Sequence, residues 1–298
     1  MNALVTGGAG FVGRHVTDFL VTKGYKVTIF DNFSNSNFVA SFADKDVKIV
    51  KGDITDFQKI SEAVKDQDVV IHLAAKISVE ESIKDPSETF RINVEGTKNV
   101  LDACKNHQVK KLIVASSAAV YGDSPPGVKL NESSKINPIS PYGESKAAME
   151  QEIKKFMSEH NIDCVILRFF NIFGPGQSSE YAGVITKFIN RIAENKPLQI
   201  YGDGMQTRDF VAVQDVVDSV HNAILYGKNG TYNIASGKSI TINELAEFMI
   251  SLSGKNLKIE HVAPKKGDIR HSQADITLAK KELRYSPKLG LDEIKNLL

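Results

Sequence analysis

Short apolar runs separated by amphipathic stretches constrain the fold of this chain more tightly than any single residue. The runs "ALVT" (3–6), "KVTIF" (26–30), "VKIV" (47–50), "DVVIHLA" (68–74), "KLIVAS" (111–116) and "DCVILRFF" (163–170) are each of strand length. Between them, apolar residues at helical spacing predict helices near 12–23, 56–65, 87–107, 142–160 and 182–195. Strands that are almost uniformly apolar and alternate with helices belong to parallel βαβ units covered on both faces. The expected fold class is therefore α/β, a doubly wound parallel sheet.

After about residue 170 the rhythm loosens. Glycine and proline punctuate "FGPGQSSEYAG" and "IYGDGMQT". Helices are expected near 213–226 and 243–251, the second opened by a capping box of Thr241 and Glu244, with short strands near 231–234 and 257–260. The division that follows is a larger domain over residues 1–170 and a smaller C-terminal α/β lobe over 171–298, interleaved with it across a cleft.

Composition excludes several partner classes. A chain of 298 residues with 42% hydrophobic content can bury a large core. A formal net charge of +1, with acids and bases interspersed, gives no basic stripe for nucleic acid. The two cysteines, Cys104 and Cys164, have neither disulfide-framework nor metal-ligand spacing, so no metal is expected and a reducing compartment is. No secretory leader or membrane span is visible, and the expected location is cytoplasmic.

The stretch "ALVTGGAGFVGRHV" sets Gly7, Gly8, Gly10 and Gly13, with Phe11 and Val12 among them, directly between the first strand and the first helix. Glycine lets the backbone approach a pyrophosphate, which then faces the free amides of the helix N-terminus. The next strand ends in Asp31 and Asn32, where a carboxylate can accept from both ribose hydroxyls and repel a 2′-phosphate. The arrangement is Rossmann-type and favours NAD over NADP. Asp53 and Ile54 in "GDITD" end the third strand, where an adenine edge would lie. Leu73, Ala74 and Ala75 in "HLAA" end the fourth and offer small residues beside the cofactor.

In "SPYGESKAAMEQ", Tyr142 and Lys146 stand one helical turn apart. That spacing suits a phenol whose ionised form is favoured by an ammonium, and it equally suits two polar residues on a solvated helix face. Spacing alone does not choose between them.

Taken together, "TGGAGFVG", "GDITD", "HLAA", "NVEGT" (93–97), "SSAAVYG" (116–122), "YGESK" (142–146) and "RFFNIFGPGQ" (168–177) resemble the extended short-chain dehydrogenase/reductase family of nucleotide-sugar enzymes. Within it the chain is most similar to the UDP-glucose (UDP-galactose) 4-epimerases, over residues 2 to about 285. The resemblance implies that Tyr142 is the general acid/base, that Lys146 binds nicotinamide-ribose hydroxyls and lowers the tyrosine pKa, and that Ser117 hydrogen-bonds the reacting sugar oxygen. It adds Asn93 to the cofactor-binding set. For the substrate it implies Asn171 and Arg208 on phosphate, Asp268 on ribose, Arg270 on phosphate and Ser272 near the C2 substituent.

Dehydratases of the family carry an Asp-Glu pair where this chain has Ala118 and Ala119, and decarboxylating relatives often carry Glu at the second position. Methyl groups move no protons, which leaves reversible oxidation and reduction at C4 of a UDP-hexose. The alternatives are a UDP-glucuronate 4-epimerase, a 4-keto nucleotide-sugar reductase or dehydrogenase, and, remotely, a non-catalytic NAD-binding regulatory protein. Where some relatives have a large tyrosine, Ser272 leaves room for an N-acetyl sugar. A homodimer is expected through helices 87–107 and 142–160, whose stripes Val94-Thr97-Leu101-Cys104 and Met149-Ile153-Phe156-Met157 either join a partner or face the chain's own sheet.

Overall fold

The structure, a computed structural model, describes residues 1–34, 47–177, 183–265 and 267–298. Seven parallel strands form the main sheet: β1 (Asn2–Thr6), β2 (Lys26–Asp31), β3 (Val47–Lys51), β4 (Val69–His72), β5 (Lys111–Ser117), β6 (Asp163–Phe169) and, from far along the chain, β10 (Gly230–Ile234). Their spatial order is β10-β6-β5-β4-β1-β2-β3. The order reverses between β1 and β4, and such a switch point leaves a crevice at the carboxyl ends of the strands.

The helices before β7 are α1 (Phe11–Thr22), α2 (Phe57–Val64), α3 (Val79–Lys84), α4 (Pro86–Phe90), α5 (Gly96–Asn106) and α6 (Pro141–Glu159). Later in the chain come β7 (Asn171–Phe173), α7 (Val184–Ala193), β8 (Leu198–Tyr201), β9 (Thr207–Ala212), α8 (Val213–Tyr226), β11 (Ser239–Thr241), α9 (Ile242–Ser253), β12 (Ile259–Val262) and α10 (Thr277–Glu282). Helices α1 and α8 cover one face of the main sheet, where Val16, Leu20 and Val220 pack on Ala3, Val5 and Val165. The opposite face takes α2, α5 and α6, through Ile60, Val100 and Ile153 on Leu4, Val70 and Ile166. Alternate residues of one strand thus enter different cores, which is why the central strands are apolar throughout. Edge strand β3 departs from that expectation: Lys48 and Ile49 are exposed, and among the described residues no strand lies beyond it.

A third core, built from Phe188, Leu198, Phe210 and Leu245 among others, holds the second lobe. Its strands form a β11-β9-β7 sheet and a β12-β8 pair. The capping box at the start of α9 is present, with Thr241 and Glu244 bonding each other's backbone. Strand β10 and helix α8 return to the large sheet, so chain order and lobe membership do not coincide after residue 170.

The helix expected over 87–107 is present as one helical run from Pro86 to Asn106, with a π turn inside it. Helix α4 passes through a π turn, Arg91–Glu95, before α5 begins. Of the stripes Val94-Thr97-Leu101-Cys104 and Met149-Ile153-Phe156-Met157, all but the half-buried Met157 are buried within the chain, and Leu101, Cys104, Met149, Ile153 and Phe156 join the core on the α5 and α6 face of the sheet. Among the described residues, no helix is long and apolar enough to cross a membrane.

Candidate active site

The crevice at the switch point is a cavity of about 530 Å³. Its floor is the turn after β1, where Gly7, Gly10, Phe11, Val12 and Gly13 line the wall. Gly7 has φ +68°, and a Cβ there would sit 2.7 Å from the amide nitrogen of Ala74; at Gly13 it would sit 2.1 Å from the Gly7 carbonyl oxygen. The turn is thus packed to the point where only glycine fits, and it opens α1 with no side-chain cap at Gly10. Uncapped amides at a helix N-terminus suit an anion.

At the end of β2, Asp31 lines the cleft. Its Oδ2 accepts from the Ala9 amide at 3.0 Å and its Oδ1 from Phe33 at 2.8 Å. Burial pushes its pKa up while those amides pull it back. Asn32 donates to Asp53 Oδ2 at 2.9 Å, tying the ends of β2 and β3 into one wall that also includes Ile54. Leu73, Ala74 and Ala75 form the opposite wall.

Asn93 does not line the cleft. It is buried in the π turn, where Oδ1 accepts from the Lys76 amide at 2.8 Å and Nδ2 donates to the Lys76 carbonyl at 3.0 Å and to Ser145 Oγ at 2.9 Å. Both amide hydrogens are in use, so Asn93 clamps the 73–77 wall to α6 from behind.

Helix α6 begins with Ser140 accepting from the Gly143 amide at 3.2 Å and with Pro141 at its first position. A Cβ at Gly143 would lie 2.6 Å from the Ala119 carbonyl oxygen, so the missing side chain lets α6 press against the turn after β5. That contact brings Ser117, Tyr142 and Lys146 into the same cleft. The neighbouring Ser117 hydroxyl draws the Tyr142 pKa down, but burial is the larger effect and the net shift is upward. Lys146 Nζ donates to the Ala115 carbonyl at 2.9 Å. Burial pulls its pKa down to about 8, opposed by Glu150. Burial thus holds the Tyr142 phenol above its ordinary pKa in the free site.

The family model for the NAD-dependent epimerase/dehydratase family matches residues 3–235. The chain belongs to that family. It is 33% identical over 301 residues to a UDP-glucose 4-epimerase of Mycolicibacterium smegmatis, covering 98% of this chain and 96% of the relative. It superposes on the UDP-glucose 4-epimerase of Thermotoga maritima solved with UDP-glucose, with TM-score 0.95 and 34% identity over 100% of this chain and 97% of that one. It also superposes on the UDP-N-acetylglucosamine 4-epimerase of Methanobrevibacter ruminantium M1 in complex with UDP-N-acetylmuramic acid, with TM-score 0.92 and 37% identity over 99% and 94%. The cofactor of the family is NAD, and the glycine turn, Asp31 and the small 74–75 wall fit it.

Of the residues expected to hold substrate, Ser117 and Tyr142 line this cavity, and Asn171, Arg208, Asp268, Arg270 and Ser272 do not. Arg208 on β9 is largely buried and paired with Asp268 at 2.6 Å. Arg270 meets both oxygens of Asp203 at 2.7 and 2.6 Å. Asn171 Nδ2 donates to the Asp209 carbonyl at 3.1 Å, and Ser272 is buried just beyond His271. Both guanidiniums therefore carry a carboxylate in this structure.

Several lining residues were not picked out in the sequence. Lys76 and Glu81 form an ion pair at 3.1 Å on the cleft wall, and Phe169, Phe170, Ile172 and Gln177 close it from the side of β6. The signal for the second group was present in "RFFNIFGPGQ"; Glu81 sits on α3, six residues long and too polar to show a helical period.

Proposed function

We propose that the chain interconverts UDP-glucose and UDP-galactose at C4, with residues 1–170 chiefly holding NAD and 171–298 chiefly holding the nucleotide sugar. The observation that carries the reading is the convergence of Ser117, Tyr142 and Lys146 beside a 3₁₀ turn, Ala118–Val120, that offers methyl groups where elimination would need acids. In its ionised form Tyr142 Oη takes the C4 hydroxyl proton, becoming the neutral phenol, and gives the proton back when the hydride returns, and the Ser117 hydroxyl shares that oxygen. Lys146, tethered to Ala115, is placed to hold ribose hydroxyls. Bound NAD supplies the hydride acceptor and donor, so the net redox change is zero.

In the second lobe we assign Arg208, Arg270 and Asn171 to the diphosphate and Asp268 to ribose, with Arg208 and Arg270 exchanging their aspartates for phosphate. Ser272 leaves space for a C2 acetamido group, and Ser272→Tyr is expected to reduce turnover of UDP-N-acetylglucosamine more than of UDP-glucose. A homodimer belongs to this reading by resemblance. Its face would be the outer side of α5 and α6, which carries Lys98 near Glu95 and Glu152, and sedimentation tests it. We place the protein in the cytoplasm, where both buried thiols stay reduced.

The test is a panel of UDP-, dTDP- and GDP-sugars followed by proton NMR at C4 with no added cofactor. UDP-hexose interconversion and release of NAD on heat denaturation support the reading. Preference for UDP-glucuronate, or stoichiometric consumption of added cofactor, would replace it.

A further inference from the structure

The last three residues of β5 each meet α6 at a different turn. The Ala115 carbonyl accepts from Lys146 at 2.9 Å, the Ser116 hydroxyl donates to Glu150 Oε1 at 2.6 Å, and Ser117 lines the cleft with Tyr142. Tyr142, Lys146 and Glu150 are four residues apart and share one helix face. Of these three, Glu150 alone does not line the cleft.

Glu150 is 2% exposed and Arg168, opposite it on β6, is 1% exposed. Arg168 Nε and Nη2 reach the two carboxylate oxygens at 2.9 and 2.6 Å. Its Nη1 donates to the Tyr121 hydroxyl at 2.7 Å and the Glu132 carbonyl at 3.2 Å, and Tyr121 donates on to Asn233 Oδ1 at 2.7 Å. Ser116 and Arg168 are register partners across β5 and β6. A buried pair is a poor source of stability, because desolvating two ions offsets their attraction and apolar side chains of like volume hold a core as well. What apolar side chains lack is direction; a fully satisfied polar network holds its members in one arrangement.

We propose that Glu150, held by Arg168, is a positioning residue for the Ser117–Tyr142–Lys146 site: it fixes the end of β5 against α6 and keeps a carboxylate one turn behind Lys146. This rests on the assignment of those three residues as the reacting site.

The groups facing Lys146 are few. On α6 they are Tyr142, Glu150 and the Met149 sulfur at 3.9 Å; on β5, the Ala115 carbonyl; on β4, His72, which is neutral. Arg168 on β6 and Lys154 stand behind Glu150. Removing the Glu150 charge leaves Lys146 facing an unbalanced guanidinium, and its ammonium gives up the proton at lower pH.

Two variants separate placement from charge. NAD affinity is measured by calorimetry from about pH 6 to about pH 10, and kcat and KM are measured for the UDP-hexose. Glu150→Gln is expected to move the alkaline loss of NAD affinity about one pH unit lower. The charge-free double variant, Glu150→Met with Arg168→Met, is expected to return it to within about half a unit of wild type. Its melting temperature stays within about 5 °C, yet kcat falls about 10- to 100-fold with KM little changed. A double variant with wild-type kcat, or an alkaline limb unmoved in Glu150→Gln, overturns the proposal. If the unpaired guanidinium prevents Glu150→Gln from folding, the double variant carries the test. The NAD titration needs no sugar, so a wild-type protein that binds NAD but turns over no UDP-hexose overturns the assigned reaction and still tests the placement of Lys146.

Discussion

Lys146 Nζ lies 2.9 Å from the carbonyl oxygen of Ala115, a bond that ties the one ammonium among the three converging residues to the strand carrying Ser117. Burial brings its pKa down to about 8. The charged form is the one that donates to ribose hydroxyls, so NAD affinity of the free protein is expected to hold below about pH 8 and to fall above it. Lys146→Met is expected to remove that limb and to lower kcat about 100-fold.

Asp31 is held by the amides of Ala9 and Phe33, so its carboxylate is fixed in orientation on the cleft wall. Asp31→Asn keeps an acceptor for the turn and removes the charge. Discrimination against NADP is expected to relax about tenfold or more, measured as the ratio of dissociation constants.

The glycine turn tolerates no side chain at its base. Gly13→Ala drives a Cβ to 2.1 Å from the Gly7 oxygen and 2.7 Å from the Gly8 Cα, both backbone atoms that cannot turn aside. It is expected to cost about 2–4 kcal/mol in urea unfolding and to abolish NAD binding. Gly183→Ala, with nothing within 4 Å, is the control and is expected to keep both.

His72 is enclosed between Thr6 Oγ1 at 2.7 Å and Thr97 Oγ1 at 3.0 Å. The Thr97 hydroxyl donates to the Asn93 carbonyl, so His72 Nε2 carries the proton and Nδ1 accepts from Thr6. Burial holds its pKa down at about 3 against an ordinary 6.5. A folded-state pKa below the unfolded one means that the unfolded chain binds the extra proton. This contribution to stability is therefore complete above about pH 6.5 and lost as pH falls toward about 3. The slope is about 1.4 kcal/mol per pH unit over that window. His72→Gln is expected to flatten stability against pH by that amount between about pH 4 and pH 6.

The strands and the cofactor turn were legible because burial on both faces writes a continuous apolar run and close packing writes glycine. The short strands β7 and β9 were not, since "NIF" is too brief for a period and Arg208 and Asp209 interrupt "TRDFVA". Nor was the Arg168–Glu150 pair: Arg168 stands inside an apolar strand and Glu150 on a helix face otherwise read as core. Asn93 entered the cofactor set by resemblance alone, and nothing in its spacing announced the bonds its side chain makes to the Lys76 backbone and Ser145. Sequence spacing gives the neighbourhood of a polar group, and only the packing around it decides which way it points.

The most direct test is UDP-galactose formation by Tyr142→Phe in protein verified to retain NAD. The predicted result is a fall in kcat of at least about 100-fold, with cofactor content and melting temperature unchanged. Interconversion at the wild-type rate would contradict the role of the Tyr142 oxygen in proton transfer, and with it the 4-epimerase assignment.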